Sequence, residues 1–187
     1  MDLYFKEFYM TDNIEQLKYP IGKFRYEASN PNEISNAIES ISALPAKLSL
    51  AVAGLSDIQL NTPYRDGGWT IRQVIHHIPD SHLNAYIRFK LAMTEINPTI
   101  RPYGEAAWAE CKDAKNGDIT DSLDLLDALH RRWVSFLKSF SNEDLERTYF
   151  HPAHNKQSKL REIISMYAWH GDHHLAHITS LKLRLNW

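Results

Sequence analysis

The stretch Ser158–Leu185, "SKLREIISMYAWHGDHHLAHITSLKLRL", decides the architecture. Its apolar residues Leu160, Ile163, Ile164, Tyr167, Ile178 and Leu181 recur at three- and four-residue steps, which predicts one long amphipathic helix. On a wheel of about 100° per residue, Leu160, Ile164, Tyr167, Gly171, Ile178 and Leu185 share the meridian that must face a core. His174 falls roughly 30° from that meridian and His170 roughly 70° away on the same side. His177 lies further round, and His173 sits on the polar flank beside Glu162 and Arg184, where solvent is expected. Gly171, between the two inward histidines, leaves room for a second helix to come close.

Three more segments have the same periodicity. The first starts at "SNPNE", with Asn30 as N-cap, Pro31 at the first helical position and Glu33 at the third. It runs toward Gly54 through Ile34, Ile38, Ile41, Leu44, Leu48 and Val52, and Pro45 predicts a kink in it. The second opens at "GGWTIRQ", where Thr70 and Gln73 form a capping box, and extends to about Ile96. The third covers about Thr120 to Phe140, with Leu123, Leu126, Leu129, Trp133 and Leu137. No segment alternates with period two over strand length, so the expected fold is all-α: a four-helix bundle. The connection from about Asn97 to Ile119 holds Pro98, Pro102, Gly104 and Gly117 and reads as a long crossover, so the helices it joins need not be antiparallel neighbours. Residues 1 to about 30 read as an irregular leader containing "YPIGKF", and Met10 as an alternative start that would leave residues 1–9 without structural meaning.

With 187 residues, 43% hydrophobic and 24% charged, the chain is long enough for one domain with a real core. A net charge of −2 without a basic run gives no electrostatic reason for nucleic acid or an anionic membrane as partner. Apolar stretches such as "LSLAVAGL" are too short to span a bilayer, and the N-terminus lacks signal-peptide character. A single cysteine, Cys111, excludes an internal disulfide and suits a reducing cytoplasm; no motif makes it a nucleophile. The unusual feature is ten histidines.

His170 and His174, four apart, stack one turn above the other, so both imidazoles can reach a single ion at about 2.0–2.1 Å. The second helix offers "HHIPDSH" as the source of a third ligand. Its apolar meridian is set by Ile71, Ile75, Ile78, Phe89 and Met93; His77 lies about 105° from it and His76 points almost directly away. His77 shares a stripe with Ser81, Asn84 and Arg88. His82 lies on the meridian itself, as a hydrogen-bonded core histidine or a competing ligand, and the wheel leaves both open. Pro79 removes the amide that would bond the Ile75 carbonyl, so a distortion that re-aims His77 is expected.

The segments "YPIGKF", "LNTPYRDGGWTIRQVIHHIPDSHLNAYIRFKLAMTE", "IRPYGEAAWAECKDAKNGD", "LHRRWVSFLKS" and "MYAWHGDHHLAHIT" resemble, in order, the YfiT-like branch of the DinB superfamily. The resemblance covers about residues 19–187, leaving 1–18 as an N-terminal extension. It implies an up-up-down-down four-helix bundle, usually a homodimer, with one divalent metal per chain on three histidines. Carried over by position, these are His77, the second of "HH", and the "HxxxH" pair His170 and His174. The departure is Pro79, where a helix-forming residue would be usual.

Three imidazoles suit zinc or nickel and leave coordination positions open, with His177 or His173 as candidates to close the shell. The resemblance implies a cytoplasmic, metal-dependent S-transferase that joins bacillithiol or another small thiol to an electrophile. Its alternative is a metal-dependent hydrolase that activates water at the ion, and a second alternative is a non-catalytic binding module braced by metal. Asp80 and Asp172 point to the polar side of their wheels, so no acidic base falls beside the three histidines, which favours the thiol. Arg88 is a candidate to receive a carboxylate, His177 and Ser81 are candidates to support the site, and Trp69 and Trp169 to pack around it.

Overall fold

The computed structural model describes residues 14–27 and 29–187; the reading of Met10 as a start lies outside them. Four long helices dominate: α1 (Glu33–Val52), α2 (Ile71–Thr94), α3 (Ile119–Leu137) and α4 (Leu160–Leu185). The Thr70–Gln73 capping box starts α2: the Gln73 amide donates to Thr70 Oγ1 (3.1 Å) and the Thr70 amide to Gln73 Oε1 (3.0 Å). Asp118 caps α3 by accepting from the Thr120 amide (2.9 Å). The first helix starts two residues later than expected. Asn30 Oδ1 accepts from the Asn32 amide, so Asn30 and Pro31 form a turn ahead of the helix and Asn32 becomes its N-cap.

Side-chain pairs fix the directions. His76 meets Ser122, His82 meets His130 and Phe89 meets Trp133, so α2 and α3 run parallel. Ser40 bonds Asp172 (2.7 Å) and Lys182 reaches the Ala51 carbonyl, so α1 and α4 also run parallel. Between these pairs the sense reverses: His77 and Arg88 on α2 face His170 and Tyr167 on α4. The result is a four-helix bundle in which directions read up, up, down, down going round it. In chain order they read up, down, down, up, and the long crossover joins the parallel pair α2 and α3. That crossover is pinned by α2 itself: Arg72 donates to Gly117 O (2.7 Å) and Gln73 to Ala109 O (2.8 Å).

Two features depart from expectation. A short hairpin precedes α4, with β1 (Thr148–His151) antiparallel to β2 (Lys156–Lys159) and Asn155 at φ 47 in its turn. Each strand has four residues, too few for alternation to register, and Phe150 also pairs its backbone with Pro98 and Ile100 of the crossover. Residues 14–18 are helical, and the segment that follows lies along α4 rather than forming a loose leader: the Trp169 indole donates to the Gly22 carbonyl (3.3 Å). Both helix-interior prolines, Pro45 and Pro79, sit in helices that continue through them without interruption.

The close approach of α1 and α4 depends on Gly171. A Cβ at that position would overlap Cδ2 of Leu44, whose side chain is fully buried. Gly171→Ala should therefore destabilise the fold by about 1–3 kcal/mol although alanine is the better helix former. Urea midpoints check this, and adding Leu44→Ala should recover part of the loss relative to the sum of the single changes.

Candidate metal centre

Seven buried imidazoles and a half-buried eighth, His170, all on α2, α3 and α4, set the chemistry of this bundle. His77 from α2 and His170 and His174 from α4 gather so that one ring nitrogen of each lies within 4.8 Å of the others. His77 Nε2 faces His170 Nε2 at 3.3 Å. Only a proton on one of them or a cation between them satisfies two nitrogens at that distance. Two corners of a tetrahedron with metal–nitrogen bonds of about 2.0–2.1 Å are about 3.3–3.4 Å apart, so the pair has the right span for such an ion. His174 adds a buried Nδ1 with no hydrogen-bond partner. Desolvation holds the His77 pKa down to about 4 and pushes those of His170 and His174 well below the usual 6.5, so all three are neutral donors at pH 7.

His82 is not a ligand competitor but a link in a buried hydrogen-bond chain. His130 Nδ1 lies 2.6 Å from the Ile41 carbonyl, His130 Nε2 lies 2.8 Å from His82 Nδ1, and His82 Nε2 lies 3.1 Å from His170 Nδ1. The carbonyl can only accept, so His130 carries its proton on Nδ1. Burial keeps the rings neutral, which leaves His130 Nε2 bare to accept from His82 Nδ1–H. The same step repeats: His82 Nε2 is bare, His170 donates Nδ1–H to it, and the lone pair of His170 Nε2 faces His77. The tautomer of His170 is thus dictated by a carbonyl three residues away along the chain of contacts. Sequence reading placed His82 correctly on the core meridian and had no signal for His130.

A cavity of about 450 Å³ opens over the three histidines, walled by Tyr64, Arg65 and Trp69. Trp69 packs on His77 with ring centroids 4.7 Å apart. His177 lines the same cavity, stacks on Tyr64 (3.9 Å) and points Nε2 at the Lys18 carbonyl (3.1 Å). The carbonyl requires Nε2–H, so His177 keeps a bare, buried Nδ1. His173, expected in solvent, is buried: it stacks on Trp169 (4.5 Å) beside Tyr19. A wheel weighs one helix against a core; it does not register the segment around Lys18–Gly22 that covers this flank. His173, His174 and His177 form a second close triplet, but all three come from one helix and His177 Nε2 is already engaged.

Arg88 and Ser81 do not line this cavity; they line an adjoining one of about 520 Å³ that shares His170 and Glu105 with it. Glu105 is the acidic residue that sequence reading missed. It comes from the crossover, so no helical wheel could place it, and its side chain is exposed. Asp80 and Asp172 line neither cavity, as expected, and Cys111 is a free, exposed thiol away from both. Among the described residues no helix is long and apolar enough to cross a membrane.

A family model described as DinB superfamily matches residues 40–178. A protein of Bacillus mycoides (strain KBAB4) named "Putative metal-dependent hydrolase" is 54% identical over 175 residues, covering 93% of this chain and all of its own. A protein of the same name from Bacillus cereus (strain B4264) is also 54% identical over the same share. Among solved structures, YfiT from Bacillus subtilis, described as "a probable metal-dependent hydrolase with an unusual four-helix bundle topology", superposes with TM-score 0.89 at 46% identity, covering 92% of this chain and 99% of that one.

The tautomer chain makes two measurable statements. Long-range ¹⁵N NMR on the histidine rings should find His130, His82 and His170 all protonated at Nδ1. His130 also sets an acid limit: its folded pKa of about 4 lies below the unfolded value near 6.5, so the unfolded chain takes up the proton first. Its contribution to stability is complete above pH 6.5 and is lost as pH falls toward 4, with a slope of up to about 1.4 kcal/mol per pH unit. Urea midpoints from pH 7 to pH 4.5 should decline, and less steeply in His130→Phe.

Proposed function

The chain belongs to the DinB superfamily, in its YfiT-like branch, and on that footing we propose that it is a metal-dependent thiol S-transferase. The observation that carries the reading is the convergence of His77, His170 and His174, from two helices, as neutral donors on one cavity. These three residues would hold one zinc or nickel ion per chain, with the His170 lone pair aimed by the His82–His130 chain. Bound there, the ion would supply Lewis acidity that lowers the pKa of a small thiol, bacillithiol or a relative, at neutral pH. The residues do the rest. Trp69 and Tyr64 form aromatic walls that exclude water from the reacting groups, and His177 braces the cavity rim through Lys18. The thiol and the electrophile are the proposed partners, and the proposal extends to a cytoplasmic homodimer that binds neither nucleic acid nor membrane.

A second reading, hydrolysis, is favoured by two specific observations. Glu105 lines the cavity, where a carboxylate can take a proton from an attacking water, and the relatives above are named as hydrolases. Glu105 is exposed, whereas an activated thiol needs no such base, and that ranks the transferase first.

Conjugation of several small thiols to monochlorobimane, with and without added zinc or nickel, tests the reading. Wild type should show metal-dependent conjugation that chelation abolishes. His174→Ala should lose at least about 100-fold in metal affinity or activity. Helical circular dichroism should survive chelation; unfolding would identify the metal as a brace. Absence of conjugation with every thiol, together with metal-dependent ester hydrolysis that falls about 100-fold or more in Glu105→Gln, would replace the transferase by the hydrolase.

A further inference from the structure

The chamber beside the histidine centre contains a charge that no carboxylate among the described residues neutralises. Arg88 projects from α2 into this space of about 520 Å³ and is only 7% exposed. Its guanidinium makes two long hydrogen bonds, Nη1 to the Tyr167 hydroxyl and Nη2 to the Arg101 carbonyl, both at 3.4 Å, and lies beside the Tyr149 hydroxyl and 6.0 Å from the centre of the Tyr103 ring. Among the described residues no carboxylate forms an ion pair with it. A guanidinium does not shed its proton to escape burial, and an unpaired buried charge costs several kcal/mol. Such a group persists where an anion completes it.

The surroundings suit that anion. Tyr103, Tyr149 and Tyr167 stand around Arg88 and offer hydroxyl donors; burial pushes their pKa values up, so they remain phenols. The Tyr103 hydroxyl is buried and faces Ser81 without closing a hydrogen bond. Lys156, at the hairpin, also lines the chamber, with its charge paired to Glu162 (3.7 Å). The one acidic lining residue, Glu105, lies on the side shared with the histidine cavity, and it makes no ion pair with Arg88.

We propose that the Arg88 chamber is the subsite for an oxyanion group, carboxylate or phosphate, carried by the substrate that reacts at the three-histidine centre. His170 lines both spaces, so a substrate anchored on Arg88 presents its distal part to the centre along His170. The inference rests on the reading of that centre as catalytic, and it narrows the substrate to an anionic molecule. A planar fork of donors with hydroxyls on the flanks recognises a carboxylate or phosphate face and leaves a neutral amide unmatched.

Calorimetric titration of the purified full chain with inorganic phosphate, succinate and neutral succinamide tests this, each with and without saturating zinc. Wild type should bind phosphate or succinate and not succinamide, and the tighter of the two identifies the oxyanion. Arg88→Met should weaken that binding by at least about tenfold. Its thermal midpoint in anion-free buffer should equal or exceed that of wild type, because methionine fills the space without a buried charge. Phosphate or succinate should raise the midpoint of wild type alone. The Arg88 side-chain NMR resonance in wild type, shifting on titration, gives the same answer where the variant fails to fold. Three results would overturn the proposal: no anion binding by wild type in either zinc state, equal binding by Arg88→Met, or a lower midpoint for that variant with its anion response retained. Zinc affinity measured in parallel by chelator competition separates the two ideas. Anion binding without zinc binding leaves the subsite standing and removes the metal centre; zinc binding without anion binding does the reverse.

Discussion

A single file of hydrogen bonds crosses the bundle from the Ile41 carbonyl on α1, through His130 on α3 and His82 on α2, to His170 on α4. It touches all four helices, and each link leaves only one place for the next proton. Because the three rings are buried and held neutral, an error anywhere along the file would leave a donor facing a donor inside the core, at a cost of about 1–3 kcal/mol. The same constraint that sets the register of four helices therefore sets which nitrogen of His170 meets the cavity. Core geometry and site chemistry are one arrangement here, and neither can drift without the other.

The helices and the inward histidines were legible because period and burial coincide. Leu160, Ile164, Tyr167 and Ile178 mark the buried meridian of α4, and His174 falls close enough to follow it into the core. The Thr70–Gln73 box was legible for a different reason: a cap is a local contract between a side chain and a backbone amide four residues apart at most. What was not legible came from segments without period. The flank holding His173 reads as polar on a wheel, yet Trp169, Tyr19 and Gly22 close over it. Glu105 and the hairpin are likewise placed by tertiary contacts, not by repetition along the chain. His130 was invisible for a third reason. Its role depends on a backbone carbonyl from a helix 89 residues earlier in sequence.

The crossover turns from a liability into a wall because α2 holds it at two points. Arg72 and Gln73, in the first turn of α2, reach out to Gly117 and Ala109. Arg72 also bonds Asn61 and Asp57 from the α1–α2 connection, so both irregular segments are tied to the helix that carries His77. The long link required by parallel neighbours α2 and α3 thereby becomes the support that carries Glu105 and Tyr103 to the cavities. A short antiparallel turn between those helices would have left the site open on that side.

Two chambers meeting at His170 impose an order on any reaction carried out there. One is walled by Trp69, Tyr64, neutral imidazoles and the partly buried Arg65; the other holds a buried guanidinium among phenols. An anionic tail gains most at Arg88, the more deeply buried cation of the two chambers. On the proposed reading, the arrangement would hold two reactants, or the two ends of one, in two chambers that share the same imidazole. Positioning of that kind lowers a barrier by removing translational freedom, and it would follow here from one arginine that has no carboxylate partner among the described residues.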